Sequence, residues 1–217
     1  MSLRISQLPL GALQTNCYIV GDSESRDAVI IDPAADAEVI LEKVTEHDYH
    51  VHEILITHAH FDHVIASKPV KDALNVPLRI HENEVTQLRE MAQRARLFGI
   101  QVPDEAATPD GFLEHGDKLQ LGLLRFEVRF TPGHSPGHIT FVMPEYKVAF
   151  VGDCIFNNGI GRTDLPGADT ATLKKSIVEQ ILTLGDDFML CPGHGPTTTV
   201  SREKSHSIDL AHLIQFG

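Results

Sequence analysis

Apolar and polar residues follow two different periods along this chain, and together they predict a mixed α and β fold. Short apolar runs rich in branched and aromatic side chains predict buried strands, and they cover residues 28–31, 53–57, 124–130, 139–142, 148–151 and 189–191. In other stretches the apolar residues recur every three or four positions, which is typical of a helix with one buried face: 36–48, 63–75, 82–96 and 170–183. Strands alternate with helices, so the pattern predicts helices that cover sheets.

A group of histidines directly follows the strand predicted at 53–57. His58, His60, Asp62 and His63 place three imidazoles and one carboxylate within six residues. Alternate residues of an extended stretch project to the same side, so His58 and His60 can approach one metal ion together. Asp62 and His63, where the chain begins to turn, can face a neighbouring ion. A polar surface turn is the alternative, but imidazoles and carboxylates at a strand end are typical metal ligands.

Three more candidate ligands follow other predicted strands. They are His134 after Thr131-Pro132-Gly133, Asp153 after Val151-Gly152, and His194 after Cys191-Pro192-Gly193. The glycine or proline before each residue lets the backbone turn sharply there. Each residue alone has another interpretation, as a turn histidine or a capping aspartate. The prediction therefore depends on the combination, in which four chain segments converge on one rim with five histidines and two aspartates.

The remaining histidines are predicted to have other roles. His138 precedes the strand at 139–142, and we expect it to orient the loop rather than bind metal. His81 precedes an acidic run and is interpreted as structural. The rest have polar neighbours and are predicted at the surface or at helix ends: His47, His50, His52, His115, His206 and His212.

The predicted ligands favour hydrolytic chemistry. Two divalent cations would carry roughly four positive charges together, and Asp62, Asp153 and one bridging hydroxide offset these charges only in part. Water bound to such metals loses a proton near neutral pH, so a hydroxide held at Asp62 and Asp153 can attack a carbonyl that the metals polarise. Nitrogen and oxygen ligands suit zinc, which we expect first, and also iron or manganese.

Composition limits the kinds of molecule that the protein is expected to bind and the cellular compartment in which it is expected. The net charge of −12 argues against nucleic acid, and no run reaches the roughly 18 apolar residues of a membrane span. The start of the chain, 1–9, lacks the basic and then apolar pattern of a signal peptide. Cys17, Cys154 and Cys191 are an odd number of cysteines and do not suggest a disulfide scaffold, so a cytoplasmic location is predicted. Cys154 and Cys191, next to candidate ligands, are expected to be small buried residues. With 42% apolar residues and no linker, 1–217 is predicted to form a single domain.

The residues at the strand ends resemble the metallo-beta-lactamase superfamily, whose signature is His-x-His-x-Asp-His followed by a histidine, an aspartate and a final histidine. The resemblance spans almost the whole chain and implies a four-layer αββα sandwich. It implies two ligand sets, one of His58, His60 and His134 and the other of Asp62, His63 and His194. Asp153 would bridge the two ions, and Asp32, which follows the strand at 28–31, would brace the metal loop without binding metal. The beta-lactamases of this superfamily commonly have a cysteine at the position of Asp153 and are exported.

Within this superfamily, the segment 159–167 is similar to the substrate loop of the short bacterial glyoxalase II-type enzymes, the hydroxyacylglutathione hydrolases. Segments 14–18, 98–99 and 132–138 agree as well. The resemblance implies that Gly161 and Arg162 contact the substrate. It also implies hydrolysis of S-D-lactoylglutathione to D-lactate and glutathione, a step of methylglyoxal detoxification. The alternative for Arg162 is a structural role, as an ion pair with Asp164 or as a cap on a carbonyl.

Two departures leave the thiol carrier open. Residues 195–217 are too few for the C-terminal helical domain with which the long glyoxalase II enzymes bind glutathione, and Asp164 stands where those enzymes have an aromatic residue. A second hypothesis is a persulfide dioxygenase acting on glutathione persulfide, in which His58, His134 and Asp153 would hold one iron. A hydrolase of another small ester or lactone and a non-catalytic, metal-stabilised binding module are further alternatives. The sequence predicts a small-molecule thioester substrate and does not choose between a monomer and a homodimer.

Overall fold

The computed structural model describes residues 2–207, which form two compact units, 2–113 with 119–125 and 114–118 with 126–207. The prediction of one domain over 1–217 stays a prediction. The apolar positions of the C-terminal tail, Ile208, Leu210, Leu213, Ile214 and Phe216, lie outside the described residues.

The first unit is built around a six-stranded sheet with the order β1-β2-β3-β4-β5-β6. The first three strands are antiparallel neighbours, whereas β3 to β6 run parallel. The elements in chain order are β1 (Leu3–Leu10), β2 (Thr15–Asp22), β3 (Asp27–Ile31), α1 (Ala37–Glu46), β4 (His50–Leu55), α2 (Phe61–Val64), α3 (Ser67–Leu74), β5 (Leu78–Ile80), a 3₁₀ turn (Glu82–Glu84), α4 (Val85–Arg89), α5 (Met91–Leu97) and β6 (Gly111–Phe112).

A second six-stranded sheet has the order β14-β13-β10-β9-β8-β7, and β10 and β13 are parallel neighbours in it. Its elements and those beside it are β7 (Lys118–Leu121), β8 (Leu124–Phe130), β9 (Ile139–Met143), a 3₁₀ turn (Pro144–Tyr146), β10 (Val148–Gly152), β11 (Ile155–Phe156), β12 (Gly159–Ile160), α6 (Thr170–Ser176), a π-helical turn (Ile177–Ile181), β13 (Met189–Pro192), β14 (Thr198–Thr199) and α7 (Val200–His206). Strands β11 and β12 form a separate hairpin.

Each unit has its own apolar core. In the first unit, branched residues of β3, β4 and β5, such as Ile30 and Ile54, pack with Ile40 of α1 and Val70 of α3. In the second unit, Val151 of β10 packs with the apolar face of α6 and the π-helical turn. These cores hold the carboxyl ends of β3, β4, β10 and β13 in place, and most of the candidate ligands follow those ends. His134 follows β8, which is antiparallel to β9.

The strands predicted at 28–31, 124–130, 139–142, 148–151 and 189–191 are confirmed as β3, β8, β9, β10 and β13. The prediction of a strand over 53–57 was wrong at both ends, because β4 spans His50–Leu55. The Thr57 N–H donates to the Asp32 carboxylate instead of to a neighbouring strand, so regular pairing stops before Thr57.

Three predicted helices are less regular than their apolar period indicates. The stretch 63–75 is divided between α2 and α3, because the Ala66 N–H donates to the Pro33 carbonyl and leaves the helical ladder. The stretch 82–96 is a 3₁₀ turn followed by α4 and α5, with Glu90 at φ −87° and ψ 4° between the two helices. Helix α6 continues as a π-helical turn, in which the Leu182 N–H reaches back five residues to the Ile177 carbonyl.

Candidate metal centre

In the first unit, the carboxyl ends of β3 and β4 bring Asp32 and the histidine loop to the same edge of the sheet. The two strands are parallel neighbours, so the residues that follow them emerge side by side. Asp32 adopts a left-handed conformation with φ 50°, and its N–H donates to the Leu55 carbonyl at 3.0 Å. This conformation turns the Asp32 side chain toward the loop that begins at Thr57.

Buried Asp32 holds the start of the loop and one of its imidazoles. Its carboxylate accepts hydrogen bonds from the Thr57 N–H at 2.7 Å and the Thr57 hydroxyl at 2.6 Å. It also lies 3.0 Å from Nδ1 of His63. A carboxylate at that distance keeps the proton on Nδ1, so Nε2 is the nitrogen that presents a lone pair. Nε2 of His63 lies 3.7 Å from a carboxylate oxygen of Asp62.

The other ligands predicted in the first unit are also together. The His58 ring centroid lies 4.7 Å from that of His60 and 4.1 Å from that of His63. The carboxylate of Asp62 accepts a hydrogen bond from the Thr15 hydroxyl at 2.8 Å. The loop therefore assembles three imidazoles and one carboxylate, as its spacing predicts.

Sequence reasoning missed Glu84, which supports this loop from the 3₁₀ turn. Glu84 is fully buried, and its carboxylate accepts a hydrogen bond from the Ala59 N–H at 2.7 Å. Ala59 lies between His58 and His60, so this bond fixes the backbone from which both imidazoles extend. In the sequence, Glu84 is part of an acidic run before an apolar period, which is typical of a helix start, and nothing else in the pattern singled it out.

In the second unit, Asp153 and His194 follow the parallel neighbours β10 and β13. One Asp153 carboxylate oxygen lies 3.6 Å from Nε2 of His194 and 3.4 Å from Nε2 of His134. The three ligands predicted in this half of the sequence therefore meet in one place.

His138 holds the backbone of Asp153 in place through a hydrogen bond. Its Nε2 accepts the Asp153 N–H at 3.1 Å, which places the ring proton on Nδ1, and Nδ1 lies 2.8 Å from the Thr131 hydroxyl. The prediction that His138 orients the loop is therefore confirmed.

His81 is structural as predicted, because it caps the 3₁₀ turn by accepting the Asn83 N–H. His52 was assigned wrongly to the surface or a helix end, since it lies in β4 with Nε2 2.7 Å from Asp27.

Arg162 contributes its backbone to the candidate centre. Its carbonyl oxygen lies 2.8 Å from Nδ1 of His134, so it accepts the Nδ1 proton and leaves Nε2 toward Asp153. The guanidinium instead donates to Asp164 through Nε and Nη2, both at 2.7 Å, and 54% of the Arg162 side chain is exposed. These hydrogen bonds lower the pKa of Asp164 to about 2. The ion pair considered as the alternative for Arg162 is thus present.

Gly161 is required by packing. A Cβ at this position would overlap the carbonyl oxygen of Asp153 and lie 3.0 Å from Nδ1 of His134. Glycine therefore lets the loop pass close to both candidate ligands. The substrate contact predicted for Gly161 stays a prediction.

We expect Gly161→Ala to disturb Asp153 and His134. Backbone blocks the new methyl group, so relief requires the loop to move, at a cost of about 1–3 kcal/mol of unfolding free energy. Chemical denaturation measures that cost, and zinc titration reports whether the ligands moved. Gly159→Ala is the matched control, because a Cβ there meets nothing within 4 Å. Equal stability and metal affinity in the two variants would contradict the packing role.

The donor set fits divalent metal ions. Each unit presents imidazole nitrogens next to a carboxylate, and His63 and His134 are held through Nδ1 by an acceptor, as metal-binding histidines generally are. The three cysteines are buried free thiols, which confirms the burial predicted for Cys154 and Cys191. Burial, with the charge of Asp32, raises the pKa of Cys17, and burial raises the pKa of Cys191 to about 12. Among residues 2–207, no helix is long and apolar enough to cross a membrane.

Comparison with known proteins identifies relatives over nearly the full length. Hydroxyacylglutathione hydrolase GloC of Haemophilus influenzae is 38% identical over 203 residues, 93% of this chain and 95% of that protein. The crystal structure of the BLEG-1 B3 metallo-beta-lactamase aligns with a TM-score of 0.90 at 37% identity, covering 95% of this chain and 99% of that one. The crystal structure of TTHA1623 in a di-iron-bound form aligns with a TM-score of 0.84 at 36% identity, covering 93% of this chain and 98% of that one.

A more distant structure is ETHE1 from Myxococcus xanthus, with a TM-score of 0.81 at 27% identity, covering 96% of this chain and 85% of that one. These alignments confirm the predicted fold class, a mixed α/β fold with two sheets and flanking helices. The family model of the metallo-beta-lactamase superfamily matches residues 10–194, which include every candidate ligand. The chain therefore belongs to the metallo-beta-lactamase superfamily.

Proposed function

We propose that this protein is a dinuclear metallohydrolase that cleaves a thioester, with S-D-lactoylglutathione as the first substrate to test. The observation that carries the proposal is the position of Asp153, whose carboxylate lies within 3.6 Å of both His134 and His194. A carboxylate between two histidines is suited to serve two ions. The similarity to GloC supports the thioester, and the similarity to di-iron TTHA1623 supports two metals.

The proposed ligand sets follow the family signature. One ion would be held by His58, His60 and His134, the other by Asp62, His63 and His194, and both by Asp153. We propose zinc first, with iron or manganese as alternatives. When bound, these metals supply Lewis acidity, which polarises a carbonyl and lowers the pKa of water.

In the proposed reaction, water oxygen forms a bond to the thioester carbonyl carbon and the carbon–sulfur bond breaks. The sulfur leaves with the bonding electrons as a thiolate and takes up one proton of the attacking water, so the products are a carboxylic acid and a thiol. A thiolate leaves readily, so the site needs no strong general acid. Other residues of the chain orient the ligands. The Thr15 hydroxyl donates to Asp62, and the His138 ring accepts the N–H of Asp153. Asp32 keeps a proton on Nδ1 of His63, and the Arg162 carbonyl does the same for His134.

The test measures metal content per chain on anaerobically purified protein. It is combined with assays of S-D-lactoylglutathione hydrolysis, of oxygen uptake on glutathione persulfide and of nitrocefin hydrolysis. We expect two metals and hydrolysis of S-D-lactoylglutathione. One iron with oxygen uptake on glutathione persulfide would overturn it in favour of a dioxygenase. Hydrolysis of the β-lactam nitrocefin without thioester hydrolysis would overturn it in favour of the activity named for BLEG-1.

The persulfide dioxygenase remains the second candidate because this chain contains the three ligands that such an enzyme needs for its iron. In that case His58, His134 and Asp153 would hold a single iron. We also propose that the substrate is a small molecule and the location cytoplasmic, since the net charge of −12 disfavours nucleic acid and the three cysteines are free thiols.

Arg162→Ala should raise KM for an anionic thioester with little change in kcat. If the exposed guanidinium contacts the substrate, removing one charged hydrogen bond costs about tenfold in KM. Asp164→Ala should lower KM, because it releases the guanidinium from its present partner. Steady-state kinetics on S-D-lactoylglutathione measures both effects.

The matched control for Arg162 is Arg96→Ala, which removes another exposed arginine paired with an aspartate. We expect the kinetics of the Arg96 variant to equal those of the unmodified enzyme. An unchanged KM in the Arg162 variant would remove its side chain from the substrate site.

A further inference from the structure

We propose that Glu203 in α7 is a positioning residue for the candidate centre, because it holds the tip of the hairpin formed by β11 and β12. This inference rests on the proposed function for its effect on turnover, and it adds a residue that the ligand signature does not contain. In the sequence, the hairpin lies between Asp153 and Arg162, so its position affects both.

The hairpin links two parts of the candidate centre. Asp153 lies two residues before β11, and Gly161 directly follows β12. The Gly161 N–H donates to the Cys154 carbonyl at 3.3 Å, which closes the base of the hairpin. The following residue, Arg162, supplies the carbonyl that accepts the Nδ1 proton of His134. A shift of the hairpin would therefore move this carbonyl relative to the two candidate ligands.

The hairpin has few contacts of its own to hold its shape. Its strands pair Ile155 with Ile160 and Phe156 with Gly159, and an isolated hairpin of two strands is at best marginally stable in water. Ile155 is buried in the apolar core of the second unit and fixes the base. Asn158 at the tip is exposed and has a left-handed φ of 67°. The tip therefore depends on contacts with other elements.

Glu203 supplies such a contact from α7. Its side chain is fully buried, and one carboxylate oxygen accepts the Asn158 N–H at 3.0 Å. The other oxygen accepts the hydroxyl of Thr198 in β14 at 2.5 Å. Burial of a carboxylate costs free energy, which hydrogen bonds to its charge offset. The buried carboxylate thus joins the hairpin tip to the second sheet.

The hairpin also contacts the segment that carries His194. The side-chain amide of Asn157 donates to the Thr197 carbonyl at 3.2 Å. The centroid of the Phe156 ring lies 6.1 Å from that of the His194 ring, and the two planes are tilted by 69°. The hairpin that Glu203 holds therefore lies against a third candidate ligand.

The competing explanation is that Glu203 only fastens α7 to β14, and three variants separate the two roles. Glu203→Ala removes both contacts of the carboxylate. Glu203→Gln keeps both, because the amide oxygen can accept the Asn158 N–H while the amide nitrogen donates to the Thr198 hydroxyl. Thr199→Ala is the matched control, since it removes the hydroxyl that caps α7 by accepting the Arg202 N–H and leaves the contacts of the hairpin in place.

The test compares these variants of the full chain by three measurements. Competition with a chromogenic chelator measures zinc affinity, residue-resolved amide exchange follows the Gly161 N–H, and steady-state kinetics measures kcat/KM for S-D-lactoylglutathione. In Glu203→Ala we expect zinc binding about tenfold weaker, Gly161 exchange about tenfold faster and kcat/KM about tenfold lower. Glu203→Gln should restore most of each value. Thr199→Ala should lower stability but leave zinc affinity and Gly161 exchange unchanged.

Equal zinc affinity and equal Gly161 exchange in Glu203→Ala and Thr199→Ala would overturn the positioning role. Glu203→Gln as impaired as Glu203→Ala would also overturn it, because both hydrogen bonds would then be present without effect. If Glu203→Ala does not fold, Glu203→Asp takes its place with the same expectations, since its shorter side chain withdraws the carboxylate from Asn158. Failure of the unmodified protein to hydrolyse any thioester would instead overturn the proposed function, and zinc affinity and amide exchange would still decide the role of Glu203.

Discussion

Asp153→Ala is expected to abolish metal pairing and hydrolysis together. Asp153 lies 3.4 Å from His134 and 3.6 Å from His194, so its loss removes the oxygen proposed to join the two ions. Because a metal contributes several kcal/mol of transition-state stabilisation, kcat/KM should fall at least about a thousandfold. Metal content per chain should fall below two. Elemental analysis and thioester kinetics on the same preparation measure both effects.

Asp187→Ala provides the control for that variant, since Asp187 is an exposed carboxylate in the same unit and 62% of its side chain is accessible. We expect it to keep both metals and full activity. Two metals and normal turnover in the Asp153 variant would show that this carboxylate does not join the ions.

Asp32→Asn should weaken metal binding by about 10- to 100-fold, the usual effect of losing the partner of a ligating histidine. The Asp32 carboxylate accepts from both donors of Thr57 and from Nδ1 of His63, whereas an amide presents a single acceptor oxygen. Asparagine tolerates the left-handed conformation of Asp32, so the backbone should persist. Competition with a chromogenic zinc chelator measures the affinity.

Asp32→Ala should be more severe, because it leaves three buried donors without their acceptor and places alanine at φ 50°. The matched control is Asp48→Asn, at an exposed position with a similar φ of 52°. If the Asp32 and Asp48 variants bound zinc equally well, Asp32 would not be a positioning residue.

The sequence predicts the superfamily and the fold class correctly, and it places each group of candidate ligands just after a predicted strand. The reason is that these ligands follow strand ends, and runs such as 124–130 are visible from local composition alone. The glycine or proline before His134, Asp153 and His194 marks the turn from strand to ligand.

The missed features depend on contacts between residues that are distant in sequence. Glu84 supports the loop through a hydrogen bond to Ala59, 25 residues away, and no local pattern encodes that bond. The break between α2 and α3 has the same origin, since the partner of Ala66 is the Pro33 carbonyl. Gly161 resembles any loop glycine until the Asp153 carbonyl beside it is known.

The hydrogen bond from His134 to the Arg162 carbonyl has an evolutionary consequence. Every amino acid has a main-chain carbonyl, so mutation of residue 162 can change the exposed side chain while the partner of His134 is kept. Under the proposed function, natural variation at this position would alter which substrates are accepted while His134 keeps its hydrogen-bond partner. A loop of this kind would allow paralogues to diverge in specificity without a change in the proposed metal ligands.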